Sequence, residues 1–143
     1  MSGAETAMLA ARLRTAMMRL VRRIKRETDD GTSPSAISAL AAVYHLGGPT
    51  VGELAAAESI SRPSASEQAD ALEARGLVKR ERSDTDGRLV RLRLTPAGER
   101  ALERSRSQRN AWLARRLRRL DRDDTAKLAA AADVLERLLE VDG

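Results

Sequence analysis

The side chains of this chain that are best suited to chemistry are its arginines. Of 26 basic residues among 143, 23 are Arg and three are Lys. A guanidinium group binds phosphate oxygens and the edge of guanine through paired hydrogen bonds. A high content of Arg and Ala is also typical of GC-rich genomes, so composition alone leaves both explanations open. Position along the chain is more informative, because arginines alternate with apolar residues over two short stretches, Leu77–Arg82 and Leu89–Leu94.

These two stretches predict a β-hairpin. Between them lies Asp84-Thr85-Asp86-Gly87, a turn signal in which Gly can adopt a positive φ. A hairpin of this size is not stable alone in water and must pack on neighbouring helices. The basic residues expected on its outer side are Lys79, Arg88, Arg91 and Arg93. We therefore expect a basic finger that projects from a helical body.

The helical body is predicted by apolar periodicity and capping residues. Apolar residues from Leu9 to Ile24 recur at four- and three-residue spacing, which predicts a helix from about Thr6 to Glu27. Three helices follow before the hairpin: one opened by Ser33-Pro34 and ended by Gly47, one over Val51–Glu58 capped by Thr50, and one from Ser61 to Gly76. Two follow it: one opened by Thr95-Pro96 and ended near Leu120, and one capped by Asp123.

This order predicts a mainly α fold with a small β-hairpin. A helix that ends at a glycine and is followed by a basic hairpin is the arrangement with which a winged helix-turn-helix holds duplex DNA. The chain contains no Phe, one Trp and one Tyr, so its core must be built from smaller aliphatic residues. The apolar faces of the terminal helices exceed what the central part can cover, which favours pairing of two chains. The alternative is a monomeric helical layer.

Composition also argues against other classes of protein. The absence of Cys excludes disulfides, thiolate metal sites and thiol redox sensing. No apolar run approaches the roughly 20 residues of a membrane span, and the N-terminus has no signal-peptide core, so we expect a cytoplasmic protein. One His and the lack of a Gly-rich phosphate loop or spaced metal ligands argue against an enzyme, a cofactor or a metal. A helical protein-interaction adaptor is the alternative from another class.

Four motifs then match a known family in order and spacing. They are Glu53-Leu54-Ala55, residues 72–78 (LEARGLV), Asp86-Gly87-Arg88 and residues 94–98 (LTPAG). Over essentially its whole length, the chain resembles the multiple-antibiotic-resistance regulator (MarR) family. This resemblance implies a homodimeric winged helix-turn-helix regulator of transcription. Most such proteins are repressors that release DNA when a small, often anionic aromatic, molecule binds.

The resemblance also implies three functional regions. Residues 1–32 would form an N-terminal dimerisation helix, residues 33–98 the DNA-binding domain and residues 99–143 the C-terminal dimerisation helices. The partner would be double-stranded DNA with an inverted-repeat operator. Ligand candidates are the aromatic and imidazole groups Tyr44, His45 and Trp112, each of which could instead be ordinary core or surface. A DNA-binding regulator without an effector is a further alternative.

The helix from Ser61 to Arg75 would be the recognition helix, with Ala65, Ala69 and Leu72 facing inward. The residues near its N-terminus would reach base edges. They are Arg62, Pro63, Ser64, Ser66 and Glu67. Related proteins often have Arg at position 67, whereas Glu67 can accept from cytosine N4 but repels phosphate. Alternatively, Glu67 pairs with Arg62 or Arg88 and contacts no base, and Pro63 either packs on a thymine methyl or only starts the helix.

The hairpin would be the wing, with Arg88 entering the minor groove and Asp86 holding it in place. An Arg in a narrow minor groove reads shape and potential; the alternative is a local Asp–Arg pair that stabilises the turn. About half of the basic strand residues would contact phosphates, among them Arg82 and Arg91. The candidates are Lys79, Arg80, Arg82, Arg91 and Arg93. Such contacts position a protein without reading sequence. The basic helix after the wing could be a second nucleic-acid surface, or could pair with the acidic last helix.

Overall fold

Six helices and one two-stranded antiparallel sheet make up the described part of the chain. The computed structural model describes residues 1–28, 31–85 and 87–141. The helices are α1 (Gly3–Glu27), α2 (Pro34–His45), α3 (Val51–Glu58), α4 (Arg62–Ala74), α5 (Pro96–Leu117) and α6 (Arg122–Glu140). The strands, β1 (Val78–Arg82) and β2 (Val90–Leu94), lie between α4 and α5. The predicted mainly α fold with a hairpin is therefore confirmed.

Two compact units divide the chain, Met1–Arg109 and Asn110–Gly143, and each is described by itself. The first contains α1 to α4, the hairpin and most of α5, and the second contains the end of α5 and α6. The functional division at residues 33 and 98 stays a prediction. Within the described ranges, no helix has an apolar stretch long enough to cross a membrane.

Hydroxyl side chains cap the helices around the core as predicted. Ser33 accepts from the backbone N–H of Ala36 at the start of α2, and Ser61 accepts from that of Ser64 at the start of α4. Thr50 caps α3 in the same way. Each cap satisfies a backbone donor that has no partner inside the helix. These helix starts, which orient α4, were correctly predicted from local sequence.

The first and last helices start earlier than predicted. Ser2 and Glu5 form a capping box that starts α1 at Gly3 rather than at Thr6. Two hydrogen bonds with Ser2 lower the pKa of the Glu5 carboxyl, the larger contribution coming from the backbone N–H of Ser2 and the smaller from its side chain. The prediction that Asp123 caps the last helix was wrong. Asp121 accepts from the N–H of Asp124 at 2.8 Å and caps α6.

Three other elements are slightly shorter than predicted. The helix α5 ends at Leu117, three residues before the predicted end near Leu120, and each strand starts one residue later than predicted. The last turn after α5 is held by hydrogen bonds of Arg119 and Leu120 to carbonyls three residues back. Such bonds are typical of a tightened helix end rather than of a continuing α-helix.

The hydrophobic core of the first unit joins α2, α3, α4, the hairpin and the start of α5. Its fully buried centre consists of Leu40, Leu54, Leu92 and Pro49. Leu92 also donates its backbone N–H to the carbonyl of Pro49 at 2.8 Å, which attaches the hairpin to the turn after α2. The hairpin therefore rests on the helices, as a hairpin of this size requires.

Strand register decides which hairpin side chains face the core. Val78 lies opposite Leu94, Arg80 opposite Leu92 and Arg82 opposite Val90 on one face. The other face pairs Lys79 with Arg93 and Glu81 with Arg91. Because side chains alternate between faces, Arg80 shares its face with the buried Val78 and Leu92.

Helices α1 and α6 have apolar side chains but no buried residue in this chain. On α1 the exposed set is Met8, Leu9, Leu13, Met17, Met18, Leu20 and Val21. On α6, in the second unit, it is Leu128, Val134, Leu138 and Leu139. On α1, Leu9, Leu13, Met17 and Leu20 recur at four- and three-residue spacing and form an exposed apolar stripe, which on a long helix is typical of an interface.

Candidate nucleic-acid interface

Helix α4 has one buried apolar face and one exposed polar face. Ala65, Ala69 and Leu72 are buried, as the sequence predicted for the inward face. On the opposite side Pro63, Ser64, Glu67, Asp70 and Ala71 are exposed, and Ser66 is half-buried between the two faces. The helix is thus anchored along its length while its polar residues remain accessible to a partner.

At the N-terminus of α4, two charged residues differ in their surroundings. The guanidinium of Arg62 lies over Gly52 of α3, where an added Cβ would be 3.5 Å from it. Glu67 is exposed, and its side chain forms no hydrogen bond or ion pair with any residue that the structure describes. Its alternative pairing with Arg62 or Arg88 is therefore not present, and its carboxylate is accessible for a contact with a partner.

The tip of the hairpin is closed by hydrogen bonds and exposes Arg88. Ser83 donates its backbone N–H to the carbonyl of Leu89 at 2.9 Å, and the Nη1 of Arg82 donates to the carbonyl of Gly87 at 3.1 Å. Arg88 is exposed. Asp86 lies outside the described residues, so its contact with Arg88 stays a prediction. The guanidinium of Arg82 thus supports the turn that carries Arg88.

Two arginines of β2 bind the turn that follows α2. The Nη1 of Arg91 donates to the carbonyl of Gly48 at 3.1 Å and lies 3.8 Å from a carboxylate oxygen of Glu53. The Nη1 of Arg93 donates to the carbonyl of Gly47 at 2.9 Å. These bonds supply donors to carbonyls of the turn, which lie beyond the last residue of the helix. Both side chains therefore help to fasten the hairpin, and their predicted phosphate contacts remain untested.

Two further basic residues of β1 are paired with carboxylates. Lys79 lies 3.4 Å from Glu81, and Glu81 also lies 3.3 Å from the Nε of Arg93. Arg80 pairs with Asp70 and Glu73 of α4. Sequence reasoning missed the contacts of Arg80. The available signal was strand alternation, which places position 80 on the same face as the apolar positions 78 and 92.

Of the three predicted ligand residues, two are neighbours in the first unit. The rings of Tyr44 and His45 meet edge to face, with centroids 5.3 Å apart. The guanidinium of Arg106 lies 5.3 Å from the Tyr44 ring centre, and its Nη2 is 3.3 Å from the Nε2 of His45. Trp112 belongs to the second unit, where it is buried and has the guanidinium of Arg116 4.2 Å from its ring centre.

The first unit also contains a cavity of about 450 Å³ with cationic walls. Its lining residues are Lys25, Arg26, Thr28, Gly31, Thr32, Ser33, Pro34, Ser105 and Arg109. Ser105 is only 2% exposed, and the buried Nε of Arg109 has no hydrogen-bond partner among the described residues. Buried polar groups are normally satisfied, so the Nε of Arg109 indicates a place for an anionic or hydrogen-bonding ligand.

Helices α2 and α3 are followed by α4, which has an exposed polar face, and by a hairpin that is hydrogen-bonded to the turn after α2. This arrangement is that of the winged helix-turn-helix class of DNA-binding proteins. Comparisons with known proteins give the same class. Residues 30–89 match the model of the MarR family. An uncharacterized HTH-type transcriptional regulator of Mycobacterium leprae is 34% identical over 135 residues, which cover 94% of each chain.

Solved structures agree over nearly the whole length. A Pseudomonas aeruginosa protein assigned to the transcriptional regulators superposes with a TM-score of 0.85 at 34% identity, covering 97% of this chain and 98% of its own. A MarR family protein from Bacillus stearothermophilus has a TM-score of 0.77 at 27% identity, covering 98% and 99%. The chain belongs to the MarR family of DNA-binding transcriptional regulators.

Proposed function

We propose that this chain is a homodimeric repressor that binds an inverted-repeat operator and is released by a small anionic ligand. The observation that carries the DNA-binding part is the combination of an exposed polar face on α4 with an exposed Arg88 at the tip of a fastened hairpin. A helix entering the major groove and an Arg entering the adjacent minor groove together fix a protein in register on duplex DNA.

The residues of the interface have distinct roles in this proposal. Arg62, Pro63, Ser64 and Ser66 lie near the start of α4, where recognition-helix residues reach base edges. Glu67 accepts from the exocyclic amine of cytosine. Arg82 and Arg91 contact phosphates, and Arg88 reads the minor groove, oriented by Asp86. Because Arg88 reads groove shape rather than a unique base pattern, sequence choice depends mainly on α4.

Replacement of Arg88 tests this assignment. We expect Arg88→Ala to weaken operator binding by about 1–3 kcal/mol, because a specific groove contact is lost. The probe is a duplex that the wild-type protein selects from a random-sequence pool, and affinity is measured by gel-shift titration. Arg23→Ala is the control, since it removes the same charge from an exposed pair on α1. Equal affinities of wild type and Arg88→Ala would contradict the assignment.

A second copy of the chain is the proposed cover for the apolar stripes on α1 and α6. Both helices lack a single buried residue within one chain. An interface between identical chains is self-complementary about a two-fold axis. Two recognition helices related by that axis would read half-sites about one helical turn apart. The dimer therefore supports both the stability of the chain and the symmetry of its operator.

Ligand release is supported by the cationic cavity between the α1–α2 connection and α5. Lys25, Arg26 and Arg109 supply positive charge there, and the buried hydroxyl of Ser105 supplies a donor. This combination suits a carboxylate or phosphate group. The alternative site is a cavity of about 390 Å³ lined by Tyr44 and Arg106, which His45 adjoins. Glu99 and Glu103 also line this cavity, and their charges oppose an anion.

Thermal unfolding with benzoate and, as a neutral control, benzyl alcohol tests the ligand proposal. A ligand that binds only the folded chain raises Tm in a concentration-dependent way. We expect benzoate to raise Tm, benzyl alcohol to leave it unchanged, and Arg109→Gln to abolish the benzoate effect while Tyr44→Phe retains it. No change of Tm with benzoate at any soluble concentration would favour a regulator without an aromatic carboxylate effector.

A further inference from the structure

Arg80 connects the hairpin to the recognition helix through two ion pairs. Its Nη2 lies 2.8 Å from the Oδ1 of Asp70, and its Nη1 donates to the Oε1 of Glu73 at 3.1 Å. The side chain of Arg80 is 27% exposed, whereas those of Asp70 and Glu73 are 66% and 44% exposed. One guanidinium therefore spans two carboxylates on successive turns of α4, in the geometry that favours strong charge-assisted bonds.

The first consequence concerns charge on α4. Glu67, Asp70 and Glu73 place three carboxylates at three-residue intervals along this helix. A carboxylate beside a phosphate backbone is repelled, and several of them together would oppose docking of the helix. The guanidinium of Arg80 pairs with two of the three and cancels one of their two negative charges. Only Glu67 then remains without a cationic partner among the described residues.

The second consequence concerns geometry. Between the end of α4 and β1 the chain passes through Arg75-Gly76-Leu77, where Gly76 has a φ of 72°. Arg80 lies in the middle of β1, opposite Leu92, and so attaches the strand to α4 at a second point beyond this turn. Two points of attachment fix the direction of the hairpin relative to α4 better than one. Small displacements of groups that must act together are costly for recognition.

We infer that Arg80 is a positioning residue of the DNA interface: by holding Asp70 and Glu73, it halves the negative charge that this pair presents on the recognition helix and fixes the wing against that helix. Arg80 itself contacts no DNA in this proposal. The inference rests on the proposed function, because it assumes that α4 and the wing bind one duplex together.

A double-mutant cycle tests this inference. The variants are Arg80→Gln, the pair Asp70→Asn with Glu73→Gln, and all three substitutions combined. The matched control is Lys127→Gln, because Lys127 of α6 also bridges two carboxylates, Asp123 and Asp124, outside the helix-turn-helix and hairpin. Operator affinity is measured on the duplex selected by the wild-type protein, at two salt concentrations, and far-UV circular dichroism checks folding.

The inference predicts an effect of Arg80 that depends on the two carboxylates. Arg80→Gln is expected to raise Kd about tenfold in the wild-type background, in line with coupling within a charged network, and less than about threefold when Asp70 and Glu73 are already neutral. The loss should be larger at low salt, since repulsion of phosphates by exposed carboxylates is screened by ions. Lys127→Gln should change Kd by less than about twofold.

Three results would overturn the inference. An equal loss in both backgrounds would mean that Arg80 contacts DNA directly. An unchanged Kd with lowered thermal stability would mean that Arg80 supports the fold only. If Arg80→Gln does not fold, Arg80→Met, which keeps an apolar stem but has no charge, takes its place in the cycle, and an absence of background dependence there overturns the inference equally. Failure of the wild-type protein to enrich any duplex would instead contradict the proposed function.

Discussion

At the scale of single residues, the same residue type has different roles according to its position on the hairpin. Arg88 at the tip is exposed, Arg82 supports the turn, and Arg80 lies on the core side of β1 and reaches α4. Alternation along a strand predicts which face each side chain takes. It does not predict whether a carboxylate or a carbonyl lies within reach on that face, because the partners of Arg80 lie on α4, and the packing of that helix against the strand is set by the tertiary fold.

Glu67 provides the prediction that belongs to this scale. Its carboxylate is exposed and has no partner among the described residues. We expect Glu67→Gln to tighten binding to a non-specific duplex several-fold, because repulsion of phosphates is removed. We also expect it to lose about 1–3 kcal/mol of discrimination at one C·G pair of the operator, because a specific acceptor is lost.

Competition gel shifts with operator duplexes changed at single positions provide the measurement for Glu67→Gln. Glu136→Gln, an exposed acidic position on α6, makes the same change of charge outside the recognition helix. Retained discrimination at every position, together with tighter non-specific binding, would show that Glu67 affects only electrostatics.

At the scale of secondary-structure elements, local sequence predicted the order of the helices and the caps of α2, α3 and α4. A hydroxyl followed by a helical pattern leaves few alternative starts. The cap of α6 could not be chosen this way, because Asp121, Asp123 and Asp124 are all competent N-caps. The choice of Asp121 depends on where α5 ends, and a tightened turn at residues 117–120 sets that end.

Gly98 carries the prediction at this scale. In the first turn of α5, a Cβ at position 98 would overlap the backbone carbonyl of Leu77, which also accepts a hydrogen bond from the N–H of Thr95. Backbone atoms cannot yield as a flexible side chain can. We expect Gly98→Ala to destabilise the chain by about 1–3 kcal/mol, measured by urea unfolding.

A matched glycine controls for loss of backbone freedom. Gly3, at the start of α1, has no atom within 4 Å of an added Cβ. Gly3→Ala should leave stability unchanged or slightly raise it, because Ala is the better helix former. Equal effects of the two substitutions would mean that the close approach of α5 to Leu77 does not constrain the fold.

At the scale of the whole molecule, charge and apolar surface both indicate a partner. The sequence carries a net charge of +5. In the second unit, the four exposed arginines at positions 115, 116, 118 and 119 form no ion pair with described residues of that unit. The predicted pairing between basic α5 and acidic α6 is therefore not present between the described residues of this unit, and pairing between chains stays a prediction.

A substitution at Leu13 tests whether α1 packs against a second copy of the chain. This side chain lies on the apolar stripe of α1 and is 38% exposed within one chain. Leu13→Glu would place a carboxylate from each chain in a symmetric interface, so its cost is doubled. We expect the variant to elute as a monomer under conditions in which the wild type is a dimer, measured by size-exclusion chromatography with light scattering.

Thr15→Glu is the matched control, because it adds the same charge to the face of α1 opposite the stripe and should leave the dimer intact. Loss of the dimer should also weaken operator binding, since one chain can hold only one half-site. A monomeric Leu13→Glu variant with wild-type operator affinity would separate dimerisation from DNA reading. A dimeric variant would mean that a surface other than the α1 stripe joins the two chains.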